Sequence, residues 1–435
     1  MNDAFRIEVD WLEGMAGEQI ERSTYAQVVM LVDDQPVTEL DDLFARTVRS
    51  GLRASANHLA LWLASNWWRL RWEPESGTDD TDWKLSHSVA AVGGGFAWPD
   101  LTFASDGKHV HVRSIAGAPK PTSPVRYLVD ADRNIDVRAF EAGTDDFVQR
   151  VLARLSGIGI DGTELSQIWD ELSKERRDPA LSELRKLEAL LGFDPGEAPE
   201  SIMSRMREAQ QRVGSEAGNE VAAAKKSDAP KTIETLIDGA AQAQTSITVP
   251  AVSDIVERSK SAACEGALPW QRAEVAASVA RGAWHLGAGR VANHQLDNIF
   301  GAPARWVEQP TQSRIPLGAG FRVNGADSAV QLLGRSPIPA NRRFELMRVV
   351  ADHCFAPSAD RLLPLTTART DRQKFQRAFA QEILCPFAEL SERFSNRKPD
   401  DDEIDATARE YEVSSLLIRT ILVNKGLLDH GTLDP

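Results

Sequence analysis

The period of the apolar residues changes along this chain, and that change limits which folds it can adopt. Between about residues 5 and 140 the runs FRIEVDW and YAQVVMLV predict strands. In LTFASDGKHVHVRS, two β-type runs flank Ser105-Asp106-Gly107-Lys108, which predicts a hairpin. The intervening LDDLFARTVRSGLRASANHLALWLASNWW reads largely as helix. From about 144 to 212 the spacing becomes three and four, in FVQRVLARL, LSQIWDELSKERRD and ALSELRKLEALLG, with GFDPGEAPES as the break. VGSEAGNEVAAAKKSDAPKT carries no large apolar residue except valine and reads as a linker or frayed helix. Beyond it, LPWQRAEVAASVARGAWHL and a shorter helix ending at Gly301 precede strands at ARWVEQ, GAGFRVNG and SAVQLLG, after which the pattern is helical. The expected fold class is therefore α+β and multidomain. Residues 1–143 form a mixed module, 144–212 a helical connector domain, 213–232 a linker and 233–435 a mainly helical domain with a short sheet.

With 435 residues, 42% hydrophobic and 26% charged, the chain has material for two or three ordinary cores. A formal net charge of -14 argues against a general phosphate-binding surface. Cys264, Cys354 and Cys385 are too scattered for a disulfide framework or a CxxC knuckle, so a reducing compartment is expected. MNDAFRIEVDWLEG is acidic where a signal peptide carries positive charge, and no apolar run of about 18 residues follows anywhere. The expectation is a cytoplasmic protein with no membrane partner.

The stretch that bears most on function is RRFELMRVVADHCF, Arg342 to Phe355. Phe344, Met347, Val350, Ala351 and Cys354 recur at helical spacing and predict a buried stripe. Around it stand PWQRAEVAASVARGAW, the GAGFRVNGADSAVQLLG strands, FQRAFAQEILCPFAEL and IDATAREYEVSSLLIRTILVNKGLL. In this order, across roughly residues 268 to 428, they resemble the ImmA/IrrE family of metallopeptidases. Arg342, Arg343, Phe344 and Leu346 match that family's RRFTLAHELGHLL helix. Phe379, Ala380, Glu382, Leu384 and Pro386 match its EANRFAAELLMP helix, and Val413, Ser414, Gly426 and Leu427 its closing segment.

The resemblance implies a zincin-like C-terminal domain, but not the reaction. HExxH puts two imidazoles on one helix face for Zn²⁺ and a glutamate beside the metal-bound water, and a carboxylate from the next helix completes the site. Here the corresponding positions are Arg348, Val349 and Asp352, and the third ligand falls near Phe375, with Asp371 one turn earlier. A guanidinium does not ligate a cation and valine is no base. The expectation is no catalytic residue, no zinc and no other cofactor. The exception is a displaced site built from Asp352, His353 and Asp371, although His353 is rotated about 100° from the ligand register.

Two arrangements of the altered site stay open. Arg348 and Asp352, at i and i+4, pair within it, or Arg348 points to solvent and apolar side chains such as Val349 and Phe375 fill it. The family's regulatory proteases cut repressors or partner antitoxins. By resemblance, an inactive member implies a protein partner: a regulator, an antitoxin or a defence-complex subunit, in bacterial stress, toxin–antitoxin or phage-defence settings.

NWWRLRWEP offers a different chemistry. Trp67, Trp72, Arg69 and Arg71 interleave rings and guanidiniums in the manner of a single-strand nucleic-acid platform. The opposing reading is a strand with Trp68, Leu70 and Trp72 buried in a Trp-rich core and both arginines facing water. VGGGFAWPD lacks the Lys-Ser/Thr and the helix of a phosphate loop and reads as a turn. His109 and His111 read as surface residues of a hairpin. DDDEIDATAREYEVSSLLIRTILVNKG reads as two helices across a turn, with Arg419 and Lys425 the only bases on the second. The expectation is that it packs on the core and does not read DNA.

Overall fold

A computed structural model of the chain describes residues 5–14, 17–75, 80–118, 123–301, 304–308, 315–323, 329–395 and 397–429. The fold is mixed, with many helices and small antiparallel sheets, in two compact units that divide between Glu200 and Ser201. No helix among the described residues is long and apolar enough to cross a membrane.

In the first unit, β1 (Phe5–Trp11) and β2 (Tyr25–Val32) pair along their whole length from Phe5 opposite Val32 to Trp11 opposite Ala26. The helix α1 (Gln19–Ser23) lies between them in sequence. β3 (Gln35–Pro36) and β6 (Leu52–Ser55) also pair with β2. Between these, β4 (Leu40–Asp42) and β5 (Thr47–Arg49) turn through Arg46 at φ 52° and occupy sequence expected to be helical. Only α2 (Ala56–Ser65) and α3 (Trp67–Trp72) of that stretch are helix, because helical apolar spacing begins at Ala56. The helix α4 (Thr81–His87) leads to the hairpin β7 (Leu101–Ser105) and β8 (His109–Ser114), which turns at Asp106–Lys108 as its sequence predicts. β9 (Val125–Tyr127) pairs with β4, and β10 (Ala131–Asp136) pairs with β8.

The helices α5 (Val137–Ser156), α6 (Glu164–Arg177) and α7 (Pro179–Leu190) complete this unit. They do not form a core of their own as a connector at 144–212 would. Phe147, Val148, Val151, Leu165, Trp169 and Leu172 join the cluster of Phe5, Ile7, Trp62 and Phe103. Each large apolar side chain so buried stabilises by about 1.5–3 kcal/mol, which three short amphipathic helices gain only by packing on the sheets.

The second unit begins with α8 (Glu200–Val213), α9 (Ser215–Lys225) and α10 (Ala229–Gln242). Of the two readings of residues 213–232, linker or frayed helix, the segment is largely helical, and Ala217, Val221 and Ala222 in it are buried. Its small residues, which read as linker composition, serve for close helix packing. β11 (Ser246–Ile247), α11 (Val252–Ala262), α12 (Pro269–Ala283) and α13 (Asn293–Phe300) follow, the last ending at left-handed Gly301. ARWVE forms the helix α14 (Ala304–Glu308) instead of a strand and buries Trp306 and Val307 on adjacent positions. β12 (Gly318–Arg322) and β13 (Val330–Leu333) are the expected strands, then come α15 (Pro339–Phe355), β14 (Leu362–Leu365) and α16 (Asp371–Leu384). The sheet order is β11-β13-β12-β14. The chain closes with α17 (Phe387–Phe394), α18 (Asp401–Tyr411) and α19 (Ser415–Asn424). As the sequence suggests, α19 buries Leu417, Ile418 and Leu422 in the core, while Arg419 pairs with Asp401 and Lys425 with Glu274.

The helix α15 lies centrally, against β12, β14, α11 and α16. It is buried on all sides from Leu346 to Cys354, where one stripe was expected, and Phe344 is only partly covered. Gly320 on β12 permits the approach, since a Cβ there would sit 2.6 Å from Val349 Cγ1. Arg342 and Arg343, each 1% exposed, are structural: the first lies over the Trp306 ring, and the second donates to Glu412 at 2.8 Å.

Candidate functional site

Arg348, Asp352 and His353 of α15 are buried, so their polar groups need partners inside the second unit. Arg348 and Asp352 find different ones. Arg348 Nη2 donates to Gln373 Oε1 at 2.6 Å, to the Thr366 carbonyl at 2.9 Å and to Gln376 Oε1 at 3.3 Å. Its buried Nε has no hydrogen-bond partner among the described residues. Burial and the nearby Arg377 bring its pKa down to about 9, against the pull of Asp352, Glu345 and Glu220.

Asp352 belongs to Arg372, whose Nε and Nη2 donate to its two oxygens, each at 2.7 Å. The same guanidinium donates through Nη1 to Asp360 Oδ2 at 2.6 Å. Burial works against the Arg372 charge, but Asp352, with Glu220 and Asp360, outweighs it and raises the pKa. Arg372 is thus a fixed cation clamped between two carboxylates that are 2% and 1% exposed.

Three other segments complete the network. Gln373, at the start of α16, bonds the β14 end through Pro364 O and Thr366 N, both at 2.9 Å. From β12, Arg322 Nε donates to His353 Nδ1 at 3.3 Å, and its other nitrogens donate to the carbonyls of His353, Pro357 and Asp360. Those carbonyls belong to the end of α15 and the turn after it, where cations are favoured. From α9, Glu220 Oε2 accepts from Thr370 Oγ1 at 2.7 Å. Burial lifts the Glu220 pKa from 4.5 to about 7, with Arg372 opposing.

The helix α9 reaches this network because of Gly214, which has φ +103°. A Cβ there would lie 2.6 Å from Asp360 Cα, Arg361 N–H donates to the Val213 carbonyl at 2.8 Å, and Ala217 N–H bonds the Asp360 carboxylate. Gly214→Ala combines a disfavoured backbone with a clash and is expected to lower the unfolding free energy by about 2 kcal/mol or more, read from the urea midpoint. An unchanged midpoint would show that α9 does not depend on this approach.

The pairing of Arg348 with Asp352 is corrected: their i, i+4 spacing permits it, but Arg372 offers Asp352 a bidentate fork. The solvent-pointing alternative is corrected too, since Arg348 is 8% exposed. Val349, 1% exposed, packs on the sheet. Phe375 packs against Phe355 at 4.9 Å between ring centroids, and Asp371 pairs with Arg272. Asp352, His353 and Asp371 do not bring their ligand atoms within 4.8 Å of one another. A zinc ion does not fit this donor set: both Asp352 oxygens bind a guanidinium, and the flanking positions hold a second guanidinium and an isopropyl group.

In the first unit, NWWRLRW is helix and not the expected strand, so the alternation argument fails. Arg69 (3% exposed) donates to Glu73 Oε2 at 2.7 Å and to Asp82, and Arg71 donates to Glu141 Oε1 at 2.6 Å. The arginines face carboxylates inside the unit, and neither water nor a groove. Trp67 and Trp68 lie in the core, edge to face at 4.8 Å, and Trp72 stacks under Arg71 at 3.8 Å. His109 is buried, not on the surface, while His111 contacts Asp132 at 2.7 Å.

The sequence reading missed Arg372, Asp360, Glu220, Arg322, Gln373 and Gln376. The available signal was in TDRQKFQR, where Gln373 and Gln376 fall three apart on a helix whose apolar Phe375 and Phe379 fall four apart. Polar side chains at that spacing on a buried helix mark an internal polar face. Comparison with family models, with curated proteins and with solved structures finds no match for this chain.

Proposed function

We propose that the second unit is a catalytically inactive, zincin-like relative of the ImmA/IrrE metallopeptidases that acts in protein recognition or as a regulatory scaffold. The observation that carries this reading is Arg372 held between Asp352 and Asp360, beside Arg348. A guanidinium supplies internal positive charge next to the positions that the resemblance assigns to metal ligands. Guanidinium charge is permanent and presents no vacant coordination position, so it can hold the fold without activating water. The partner class, a regulator, antitoxin or defence-complex subunit in a bacterial setting, follows from the resemblance, and the cytoplasm is the compartment suggested by the sequence composition. Nucleic-acid binding through Arg69 and Arg71 is not favoured, because both are engaged within their own unit.

Metal analysis of the purified full-length protein tests the reading. The expected content is well under one equivalent of zinc, before and after incubation with excess zinc and gel filtration. One tightly held equivalent would overturn it. Affinity capture from the native host, followed by mass spectrometry, would then identify the partner.

A further inference from the structure

On a different face of α16 from the one that meets Arg348, the helices α12, α16, α17 and α19 enclose a pocket of about 400 Å³. That volume lies in the range of small-ligand sites. Trp270, Phe387 and Ile421 give it apolar walls. Of its charged lining residues, Glu274 and Lys425 neutralise each other at 2.7 Å, and Glu382 accepts from the Phe387 N–H at 3.2 Å.

Arg377 is different. Its two hydrogen bonds go to carbonyls, Nη2 to Ala368 at 3.1 Å and Nη1 to Thr366 at 3.5 Å. No carboxylate lies within ion-pair distance of it among the described residues, although Glu220 acts on it from further away. Burial brings its pKa down to about 10, and neighbouring Arg348, which shares the Thr366 carbonyl, is also hydrogen-bonded only to neutral acceptors among the described residues. Two desolvated guanidiniums share one carbonyl, and one of them belongs to a residue that lines the pocket, which leaves the site short of an anion.

We infer that this pocket binds a small organic acid whose carboxylate pairs with Arg377 and whose apolar body lies against Trp270 and Phe387. Arginine suits the role because its planar fork accepts a carboxylate in two parallel hydrogen bonds. The inference does not depend on the reading of the altered metal site. The carboxylate can belong to a free acid or to the C-terminus of a peptide ending in an aromatic residue.

Calorimetric titration of the full-length protein with 3-phenylpropanoate, with its neutral amide and with N-acetyl-Gly-Gly-Phe tests it. The acid should bind with one-to-one stoichiometry and the amide about tenfold or more weakly. Peptide binding at least as tight as the acid assigns a chain terminus as the source, and weaker binding assigns a free acid. Arg377→Met should cost about tenfold or more in acid affinity. The acid–amide comparison on the unaltered protein carries the test even if that variant does not fold. Equal binding of acid and amide, binding of neither the acid nor the peptide at millimolar concentration, or an unchanged affinity in folded Arg377→Met would overturn the inference.

Discussion

Arg372→Met should be the most damaging single substitution in the second unit, lowering the unfolding free energy at pH 7.5 by about 3–5 kcal/mol. The side chain is close in size, so little packing is lost. What is lost is the only cation within ion-pair distance of Asp352 and Asp360 among the described residues. Both carboxylates are buried, with Glu220 nearby. Left without a counter-charge, they should have folded-state pKa values above their unfolded values. That sign makes the variant's stability greatest at acid pH and lost as pH rises through the folded pKa values. Urea titrations at pH 5 and pH 7.5, for variant and wild type, read both effects. The control is Arg393→Ala, whose pair with Glu410 is partly exposed on both sides, and it should change stability by about 1 kcal/mol or less. An Arg372→Met loss no larger than the control's, or one that does not shrink at pH 5, would remove the clamp from the account.

Glu220→Gln should have the opposite effect at alkaline pH. Glu220 has its pKa raised from 4.5 to about 7, chiefly by burial. The folded protein therefore holds this proton where the unfolded chain does not, and the associated stability is lost as pH rises from 4.5 through 7. The interval corresponds to about 3 kcal/mol. Glutamine has no proton to lose and can still accept from Thr370 Oγ1. The variant should match wild type near pH 5 and exceed it by about 2–3 kcal/mol at pH 8, in urea midpoints at the two pH values. A variant less stable than wild type at pH 8 would mean that the Glu220 charge supports Arg372 more than burial opposes it.

Much of the element order was legible from local pattern. The β1–β2 strands, the β7–β8 hairpin with its Asp106–Lys108 turn, α12, α13 ending at Gly301, and the α18–α19 pair all stand where period and turn residues put them. The errors have physical causes. LDDLFARTVRS contains spacings compatible with both helix and short strands, and pairing of β4 with β9 decides for strand. VGSEAGNEVAAAK lacks large apolar residues because α9 packs closely: Gly214 lies against the turn that carries Asp360, and Ala217, Val221 and Ala222 are fully buried. Charged residues were read as solvent-facing in NWWRLRW, yet Arg69 and Glu73, four apart, are both buried and neutralise each other.

What the sequence determined by itself about the candidate site is its chemistry. Arginine, valine and aspartate at 348, 349 and 352 exclude an HExxH zinc site whatever the fold, because ligand and base capacity are properties of the side chains. What only the tertiary structure decided is which charges meet. Asp352 had a legal partner four residues away in Arg348 and took Arg372, which is 20 residues away. The docking of α16 on α15 presents Arg372 as a bidentate fork and directs Arg348 to Gln373. Spacing along a helix limits the available contacts, and burial against a second helix selects among them, since charges removed from water are costly unless they are paired and hydrogen-bonded.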